Sequence, residues 1–434
     1  MGSRIGKNTL FSAGGYAVQV LVILVSTPPL LHRMGAPNFG LWMLSIAFLG
    51  LAGLFDLGLS TTIAKYIAEY HQRGDVDRLS ATATMGFLIY LSIGLVLALP
   101  IFLLAPQAAS LLSDTKAGVP RDVIEGTVRF AALGFVPLLL KNAGLAVPIG
   151  LQRFKIPMGI SVAQSLLTFG IALVITLGGG SVTQVVVSSL ITLSVMAVVS
   201  LLIGYQTLRS LGARIIYSRS QARLMFKFTA FTSVSALGTV LFSAADRVAV
   251  GLVLGTAAVA YYVVAVGIAA NLLTIADVLT RPLMPATSSL IGAGQWGRVR
   301  MYLVRSTIAI AALELTISVF LLLVSRPAMT AWLGEEVTAQ ALLPLRVLIV
   351  AYAVIGVFAP GYHIANGSGF PWVPAVGGLA GGCLTVGLII VMGQEWGLAG
   401  AAWANCGYWA NALILVGTLG ILKQRSGADT LATR

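Results

Sequence analysis

Basic and acidic side chains lie deep within long apolar segments of this chain of 434 residues. The basic ones are Arg129, Lys141, Arg247, Arg281 and Arg346, and the acidic ones are Asp56, Asp246, Asp277 and Glu314. Charge inside a membrane is costly, so such residues usually line a polar path or pair with one another. Guanidinium groups can replace the hydration of an anion with bidentate, charge-assisted contacts. The basic set is therefore predicted to line a cavity that binds an anionic substrate, and the acidic set supplies candidates for binding a coupling ion.

Two of the basic residues follow an acidic residue by four positions, which places both side chains on the same helix face. Arg129 follows Glu125, and Arg281 follows Asp277 just before Pro282. Each pair has two readings, a salt bridge confined to one helix or a charged group that faces a cavity. The sequence leaves both readings open.

The other three basic residues have no such partner on their own helix. Arg346 has no acidic residue three or four positions away, and Lys141 is the most deeply placed cation, in a segment that also contains Pro137. Arg247 directly follows Asp246, and neighbouring side chains on a helix point about 100° apart, so the two cannot pair directly. We expect Arg247 to face the centre of the protein, and Arg346 and Lys141 to line the cavity or to find partners on other helices.

Two of the acidic residues also lack a nearby cation. Glu314 lies among alanine and leucine in the middle of an apolar segment, which makes it a candidate protonation switch or a buried hydrogen-bonding group. Asp56 lies in an Asp-Leu-Gly-Leu turn, where it could clamp neighbouring helices or bind a coupling H+ or Na+.

The elements that must position these residues are membrane-spanning helices. The chain is 58% hydrophobic and 9% charged, with a mean hydropathy of +0.94, whereas soluble domains carry roughly 25% charged residues. Crossing the hydrocarbon takes about 20 mostly apolar residues, and Pro28-Pro29 is expected to bend or end the first such segment. Twelve segments qualify: 10–31, 39–64, 81–105, 123–148, 158–177, 182–204, 228–254, 257–280, 302–325, 339–360, 373–392 and 398–422.

The distribution of charge between these segments predicts the topology. The net charge of +13 lies mostly in short connectors, which argues against a nucleic-acid-binding protein. With both termini in the cytoplasm, eighteen of the 27 basic residues fall on that side and four on the other, as the positive-inside rule requires. Cys383 and Cys406 both lie in apolar stretches and only three histidines are present, so neither a disulfide framework nor a metal site is predicted.

The chain repeats itself at about half its length. Met34-Gly35-Ala36 recurs as Leu254-Gly255-Thr256, and the same offset of 220 joins Gly74 to Gly294. Further echoes join Val128-Arg129 to Leu345-Arg346 and the connector 150–154 to 366–370. Because each half has an even number of spans, the repeat is parallel, about an axis along the membrane normal. The predicted domains are a six-helix lobe at 1–208, a basic cytoplasmic linker at 209–227, a second six-helix lobe at 228–422 and a cytoplasmic tail at 423–434.

The same segments resemble a known family. Met34-Gly35-Ala36-Pro37-Asn38-Phe39-Gly40-Leu41-Trp42, followed by Leu54-Phe55-Asp56-Leu57-Gly58-Leu59, is similar to the N-terminal signature of Wzx-type polysaccharide flippases. Asp246-Arg247, Gly251, Leu254-Gly255 and Tyr261-Tyr262, followed by Pro282 and Pro285, resemble that family's seventh and eighth helices. The family belongs to the MATE-like (MOP) superfamily of multidrug exporters and lipid II flippases.

The resemblance implies a MATE-like fold, two pseudo-symmetric six-helix bundles around a cavity that opens alternately to each side. It also implies a polyprenyl-diphosphate-linked oligosaccharide as the substrate, whose dianionic headgroup would bind the cations named above. Two departures favour this family within the superfamily. Lipid II flippases usually have fourteen spans, and the first helix here lacks the acidic residue that many bacterial multidrug exporters place there for ion coupling.

The functional prediction is a flippase for lipid-linked oligosaccharides in the bacterial inner membrane, with a cation-coupled multidrug exporter as the alternative. A non-transporting scaffold or a glycosyl polymerase is a third possibility, although a polymerase would be expected to carry a large extramembrane loop. We predict no enzymatic activity and no cofactor beyond a coupling H+ or Na+. The expected partners are the lipid-linked oligosaccharide, membrane lipids and the polymerase or glycosyltransferases of the pathway, with the protein itself a monomer that binds no nucleic acid.

Overall fold

The computed structural model describes residues 2–56, 58–113, 119–226, 229 and 244–432, and every regular element in these ranges is a helix. The chain divides into two compact units, Met1–Val234 and Ser235–Arg434. Eight helical stretches in the described ranges are long and apolar enough to cross a membrane. The predicted all-α polytopic fold is confirmed.

Five helices in the described part of the first unit are long and apolar enough to cross a membrane. The helix bounds of this unit are α1 Gly2–Gly50, α2 Gly53–Asp56, α3 Leu59–Arg73, α4 Val76–Leu103, α5 Ala105–Ser113, α6 Arg121–Gly150, α7 Lys155–Leu177 and α8 Val182–Ser210. The first of the five long helices joins the predicted span 10–31 to the start of the predicted span 39–64, which is divided among α1, α2 and α3, whereas the later ones follow the predicted segments.

The second unit contains two long helices, each with a break at a glycine. The helix bounds of this unit are α9 Asp246–Leu254, α10 Thr256–Thr280, α11 Leu283–Gly292, α12 Trp296–Val357, α13 Ala359–Gly367, α14 Trp372–Trp403, a 3-10 helix at Ala404–Asn411 and α15 Ala412–Ala432. The two long helices are α12 and α14. The predicted seventh span, 228–254, lies mostly outside the described residues. The 3-10 helix interrupts the predicted span 398–422, which the sequence pattern presented as one continuous helix.

Glycines rather than prolines break the long helices. The expected end at Pro28-Pro29 was wrong, because α1 continues through both residues and leaves helical geometry at Gly35, with φ 74° and ψ 156°. The expected bend there stays a prediction. Proline fixes φ near the helical value, whereas the conformation at Gly35 is open mainly to glycine. Gly334 separates the predicted ninth and tenth spans within α12, and Gly397 separates the last two within α14.

The backbone repeats where the sequence does. Among the positions of the first half that have positive φ, three have a counterpart with positive φ in the second half at an offset of 217 or 220 residues. The pairs are Gly35 and Gly255, Gly74 and Gly294, and Gln152 and Gly369. Gln152 is the only non-glycine residue with positive φ in the described chain. The sequence repeat therefore reflects equivalent turns between equivalent helices.

Close helix packing in the first unit depends on small residues. The core includes the fully buried side chains of Tyr90 and Phe135, and α6 meets α8 at Gly144. A side-chain carbon added at Gly144 would lie 2.5 Å from the carbonyl carbon of Ser200, so the two backbones are in direct contact there. Such contacts are the usual basis of helix association where lipid supplies no hydrophobic driving force.

Candidate functional site

In the first unit, Asp56 is the centre of a polar cluster inside the helix bundle. It ends α2 and accepts hydrogen bonds from the hydroxyl of buried Tyr90 on α4 at 2.5 Å and from Asn142 on α6 at 3.5 Å. The backbone amide and the hydroxyl of Ser60 on α3 donate to it at 3.1 and 3.2 Å. The carboxylate thus joins four helices around the break at Gly58. Its role in ion coupling stays a prediction.

In the second unit, Asp277 on α10 holds an equivalent place. Its Oδ2 contacts the Arg281 guanidinium through Nε at 2.8 Å and Nη2 at 2.7 Å, and its Oδ1 contacts Nε2 of the buried His363 on α13 at 3.0 Å. The bond to His363 joins two helices, so the pair Asp277–Arg281 is not confined to one helix. Sequence reasoning did not single out His363.

The two clusters resemble each other. Their members differ by 221 positions along the chain, pair by pair: Asp56 and Asp277, Ser60 and Arg281, Asn142 and His363. Each carboxylate contacts the residue four positions later and a residue on a later helix of its own half. The partners are neutral in the first unit, whereas in the second they are a guanidinium and an imidazole. The sequence repeat has an offset of 217 in this part of the chain and pairs Asn142 with Ala359, about one helical turn before His363, so the repeat alone does not single out the histidine.

Two of the five predicted substrate-binding cations pair with acids. Nη2 of Arg129 lies 2.7 Å from a carboxylate oxygen of Glu125, and its guanidinium lies 5.5 Å from the centre of the Phe102 ring. Arg281 pairs with Asp277 as described above. Both pairs have the i,i+4 spacing seen in the sequence. Their positive charge is largely compensated, and their substrate-binding role stays a prediction.

Two further cations have neutral hydrogen-bond partners. The Lys141 ammonium donates to the side-chain carbonyl of Gln164 on α7 at 2.7 Å. Nε of Arg346 donates to the Ser325 hydroxyl at 3.1 Å. Within the described residues, neither cation lies within salt-bridge distance of a carboxylate. In each unit, one of the predicted cations thus has a neutral partner in place of a carboxylate, and its role in binding an anionic substrate stays a prediction.

Asp246 and Arg247 begin α9 within a group of buried tyrosines. Asp246 is fully buried and accepts bonds from the Tyr262 hydroxyl at 3.0 Å and from the amide of Arg247 at 2.8 Å. The Tyr262 hydroxyl in turn accepts from Asn405 at 2.7 Å. The half-buried Arg247 lies near Asp246 and near three buried tyrosines of this group: Tyr262, Tyr352 and Tyr408. Sequence reasoning missed these tyrosines, which look like ordinary aromatic residues of apolar helices.

Glu314 lies in the middle of α12 with 1% of its surface exposed. Neither carboxylate oxygen has a hydrogen-bond partner among the described residues. A side-chain carbon added at Gly356 would come within 2.8 Å of one of these oxygens, so α12 packs closely on itself beside the carboxyl group after the break at Gly334. Burying an unpaired ion is costly, which keeps Glu314 a candidate for reversible protonation.

A pocket of about 400 Å³ lies within the second unit. Residues of α10, α12, α13, α14, the 3-10 helix and α15 line it, and they combine polar with aromatic side chains. The polar and aromatic members are Thr274, Asp277, Arg281, Phe358, Tyr362, Asn366, Tyr408 and Asn411. The sequence predicted a cavity between the two halves, and this pocket inside one half was not foreseen. Its walls come from four separate stretches of chain, 273–281, 355–366, 374–378 and 408–414, which no single motif connects.

The fold is that of a class of membrane transporters. The structure is similar to that of a multidrug resistance MATE family transporter of the MOP superfamily in an inward-facing conformation, with a TM-score of 0.75 and 17% identity over 95% of this chain and 96% of the other. It is also similar to the lipid II flippase MurJ in an inward closed conformation, with a TM-score of 0.69 and 12% identity over 94% of this chain and 87% of MurJ. At these identities the likeness establishes the fold.

Within that class, the sequence defines the family. The chain belongs to the polysaccharide biosynthesis protein family, which matches residues 5–291. It is 22% identical over 401 residues to a putative O-antigen transporter of Shigella flexneri, covering 91% of this chain and 93% of the relative. The predicted resemblance to polysaccharide transporters is thereby confirmed.

Proposed function

We propose that this protein moves a polyprenyl-diphosphate-linked oligosaccharide across the bacterial inner membrane by alternating access. The observation that carries the proposal is the membership in the polysaccharide biosynthesis protein family, together with a likeness to an O-antigen transporter that extends over nine-tenths of the chain. The fold shared with MATE transporters and MurJ supplies an architecture suited to transport. The protein would thus move its substrate and leave its covalent structure unchanged.

Lys141 and Arg346 are the residues that we assign to the diphosphate. Both keep a positive charge with only a neutral side-chain partner in the described structure. Gln164 and Ser325 would hold the two side chains in place until an anion displaces them. A diphosphate leaving water then exchanges its hydration for charge-assisted hydrogen bonds. Arg247, in its cluster of tyrosines, is a third cation for the same group.

Glu314 is the residue that we assign to ion coupling. A carboxyl group buried without a partner can take up and release a proton as its surroundings open and close. Asp56, Asp246 and Asp277 are weaker candidates, because each already accepts two or more hydrogen bonds. The coupling ion would be H+ or Na+, with both termini in the cytoplasm and a monomer as the working unit.

The test is a deletion of the gene in its host, complemented by variants. Wild-type protein should restore surface polysaccharide, whereas Lys141→Gln combined with Arg346→Gln should leave the lipid-linked oligosaccharide accumulated in the cytoplasmic leaflet. The control is Arg326→Gln, which removes a cation that forms a salt bridge with Glu335. Both side chains of this salt bridge are exposed, so it contributes little to stability. All variants are compared at equal amounts in the membrane.

Two results would refute the proposal. Unchanged surface polysaccharide in the deletion strain would remove the assigned function, and full export by the double variant would remove the assigned residues. The multidrug exporter is the alternative because the first reported structural relative is a MATE transporter. It predicts instead that overexpression confers resistance to amphipathic cations, and that this resistance is lost on Glu314→Gln.

A further inference from the structure

The pocket within the second unit has the size and composition of a small-molecule site. Its volume of about 400 Å³ falls in the range of roughly 300–1,000 Å³ that is common for ligand pockets. Apolar side chains such as Ile355 and Ile414 form part of the wall, and a few polar groups converge on the remainder. The mouth is accessible, since 44% of the surface of Tyr362 and 67% of the Arg281 side chain are exposed.

The charges of the pocket disfavour a phosphate. Among the described residues that line the pocket, Arg281 is the only lysine or arginine, and its guanidinium makes two contacts with the Asp277 carboxylate at 2.7 and 2.8 Å. His363 contacts the other oxygen of the same carboxylate. A phosphate bound beside Arg281 would therefore lie against a carboxylate, and like charges at that distance repel. A neutral ligand avoids this cost.

The polar groups match a ligand that carries several hydroxyl groups. Each oxygen of a carboxylate has two lone pairs, so Asp277 retains acceptor capacity beyond its bonds to Arg281 and His363. The amides of Asn366 and Asn411 each offer donors and an acceptor. Planar groups of this kind can bind two neighbouring hydroxyls of a sugar ring at once, because each presents two polar atoms side by side.

The aromatic residues supply the complementary surface. Phe358, Tyr362 and Tyr408 line the same pocket, and a π face carries partial negative charge. The C–H bonds on one face of a pyranose ring carry partial positive charge and are apolar enough to leave water. An aromatic ring thus suits the face of a sugar, while the amides and the carboxylate suit its edge.

We propose that the pocket lined by Asp277, Tyr362, Asn366 and Asn411 binds a sugar residue of the transported oligosaccharide. The inference rests on the proposed function and adds to it a division of labour, in which the diphosphate binds Lys141 and Arg346 and the second unit selects the glycan. The identity of the hydroxyl groups that reach Asp277 and the two amides would then decide which repeat units are transported.

The experiment uses the full-length protein in detergent and two soluble probes, the free repeat-unit oligosaccharide released from the host's polysaccharide and inorganic pyrophosphate. Binding is followed by isothermal titration and by saturation transfer from the protein to sugar protons. Tyr362→Ala and Asn411→Ala should each weaken oligosaccharide binding about tenfold, equivalent to roughly 1.4 kcal/mol, and leave pyrophosphate binding unchanged. Lys141→Gln should do the reverse.

Matched controls separate the pocket from general damage. Tyr302→Ala removes a similarly exposed tyrosine outside the pocket, and Asn271→Ala removes an asparagine whose amide bonds the carbonyl of Gly267 in its own helix. Neither should change oligosaccharide binding. Tyr362→Phe keeps the aromatic ring and should bind the oligosaccharide more tightly than Tyr362→Ala. This comparison tests the role of the ring if Tyr362→Ala proves less stable.

Three outcomes would overturn the inference: no oligosaccharide binding to the wild-type protein, equal binding by the pocket variants and their controls, or a loss of pyrophosphate binding in Asn411→Ala. Each leaves the proposed function standing as long as the wild-type gene restores polysaccharide export in the deletion strain. Failure of that complementation would instead refute the proposed function itself.

Discussion

The contact between α6 and α8 predicts a large difference between two chemically identical substitutions. Alanine at position 144 would place its Cβ 2.5 Å from the carbonyl carbon of Ser200, 2.6 Å from its oxygen and 2.7 Å from the backbone nitrogen of Leu201. These are backbone atoms of a packed helix, which cannot move aside as a flexible side chain can. The two helices must separate, and the contacts around the crossing must loosen with them.

Overpacking of this kind costs about 1–3 kcal/mol. For a unit of this size, each kcal/mol lowers the melting temperature by about 2–4 °C, so Gly144→Ala should lower it by roughly 2–12 °C. Gly126→Ala is the control in the same helix, because a side-chain carbon there meets no atom within 4 Å. The assay is thermal unfolding of the purified protein in detergent. Equal melting temperatures for the two variants would refute the close approach of α6 and α8.

Three further predictions concern the buried polar groups. Tyr90→Phe removes the hydroxyl that donates to Asp56 at 2.5 Å, and should cost about 1–3 kcal/mol in thermal unfolding, whereas an unchanged melting temperature would show that Asp56 does not need this donor. Glu314→Gln should abolish the dependence of transport on a proton or sodium gradient in membrane vesicles, and a retained dependence would exclude Glu314 as the coupling group. His363→Asn installs the residue type that contacts Asp56 in the first unit and should preserve export and stability, while His363→Leu should lose both; equal behaviour of the two His363 variants in the export assay would contradict the role given to this contact.

The sequence predicted contacts between residues of the same helix. The pair of Arg129 and Glu125 could be read from its spacing of four residues, and the structure shows it at 2.7 Å. Composition and the length of the apolar segments likewise sufficed for the membrane-spanning fold. These features depend on the solvent and on the helix period, both of which act locally along the chain.

Contacts between helices could not be read in the same way. Lys141 contacts Gln164, 23 residues later in the chain, and Asp56 contacts Tyr90, 34 residues later. Whether such residues come into contact depends on how the helices pack. The break in α1 lies at Gly35, where φ is positive, and not at Pro29, where the sequence pattern predicted it. The internal repeat was the one long-range signal, and its offset of 217 leads from Asn142 to Ala359 on α13, about one helical turn before the otherwise inconspicuous His363.

The central claim is tested most directly by reconstitution. Purified protein is placed in liposomes that contain the host's lipid-linked oligosaccharide with a fluorescent label on the glycan, and the fraction accessible to an external quencher is followed over time. We predict that labelled glycan that is initially protected from the quencher becomes accessible faster with the wild-type protein than with the variant that combines Lys141→Gln and Arg346→Gln. If the labelled glycan becomes accessible no faster than in protein-free liposomes, under an imposed gradient of either H+ or Na+, the proposed transport is contradicted.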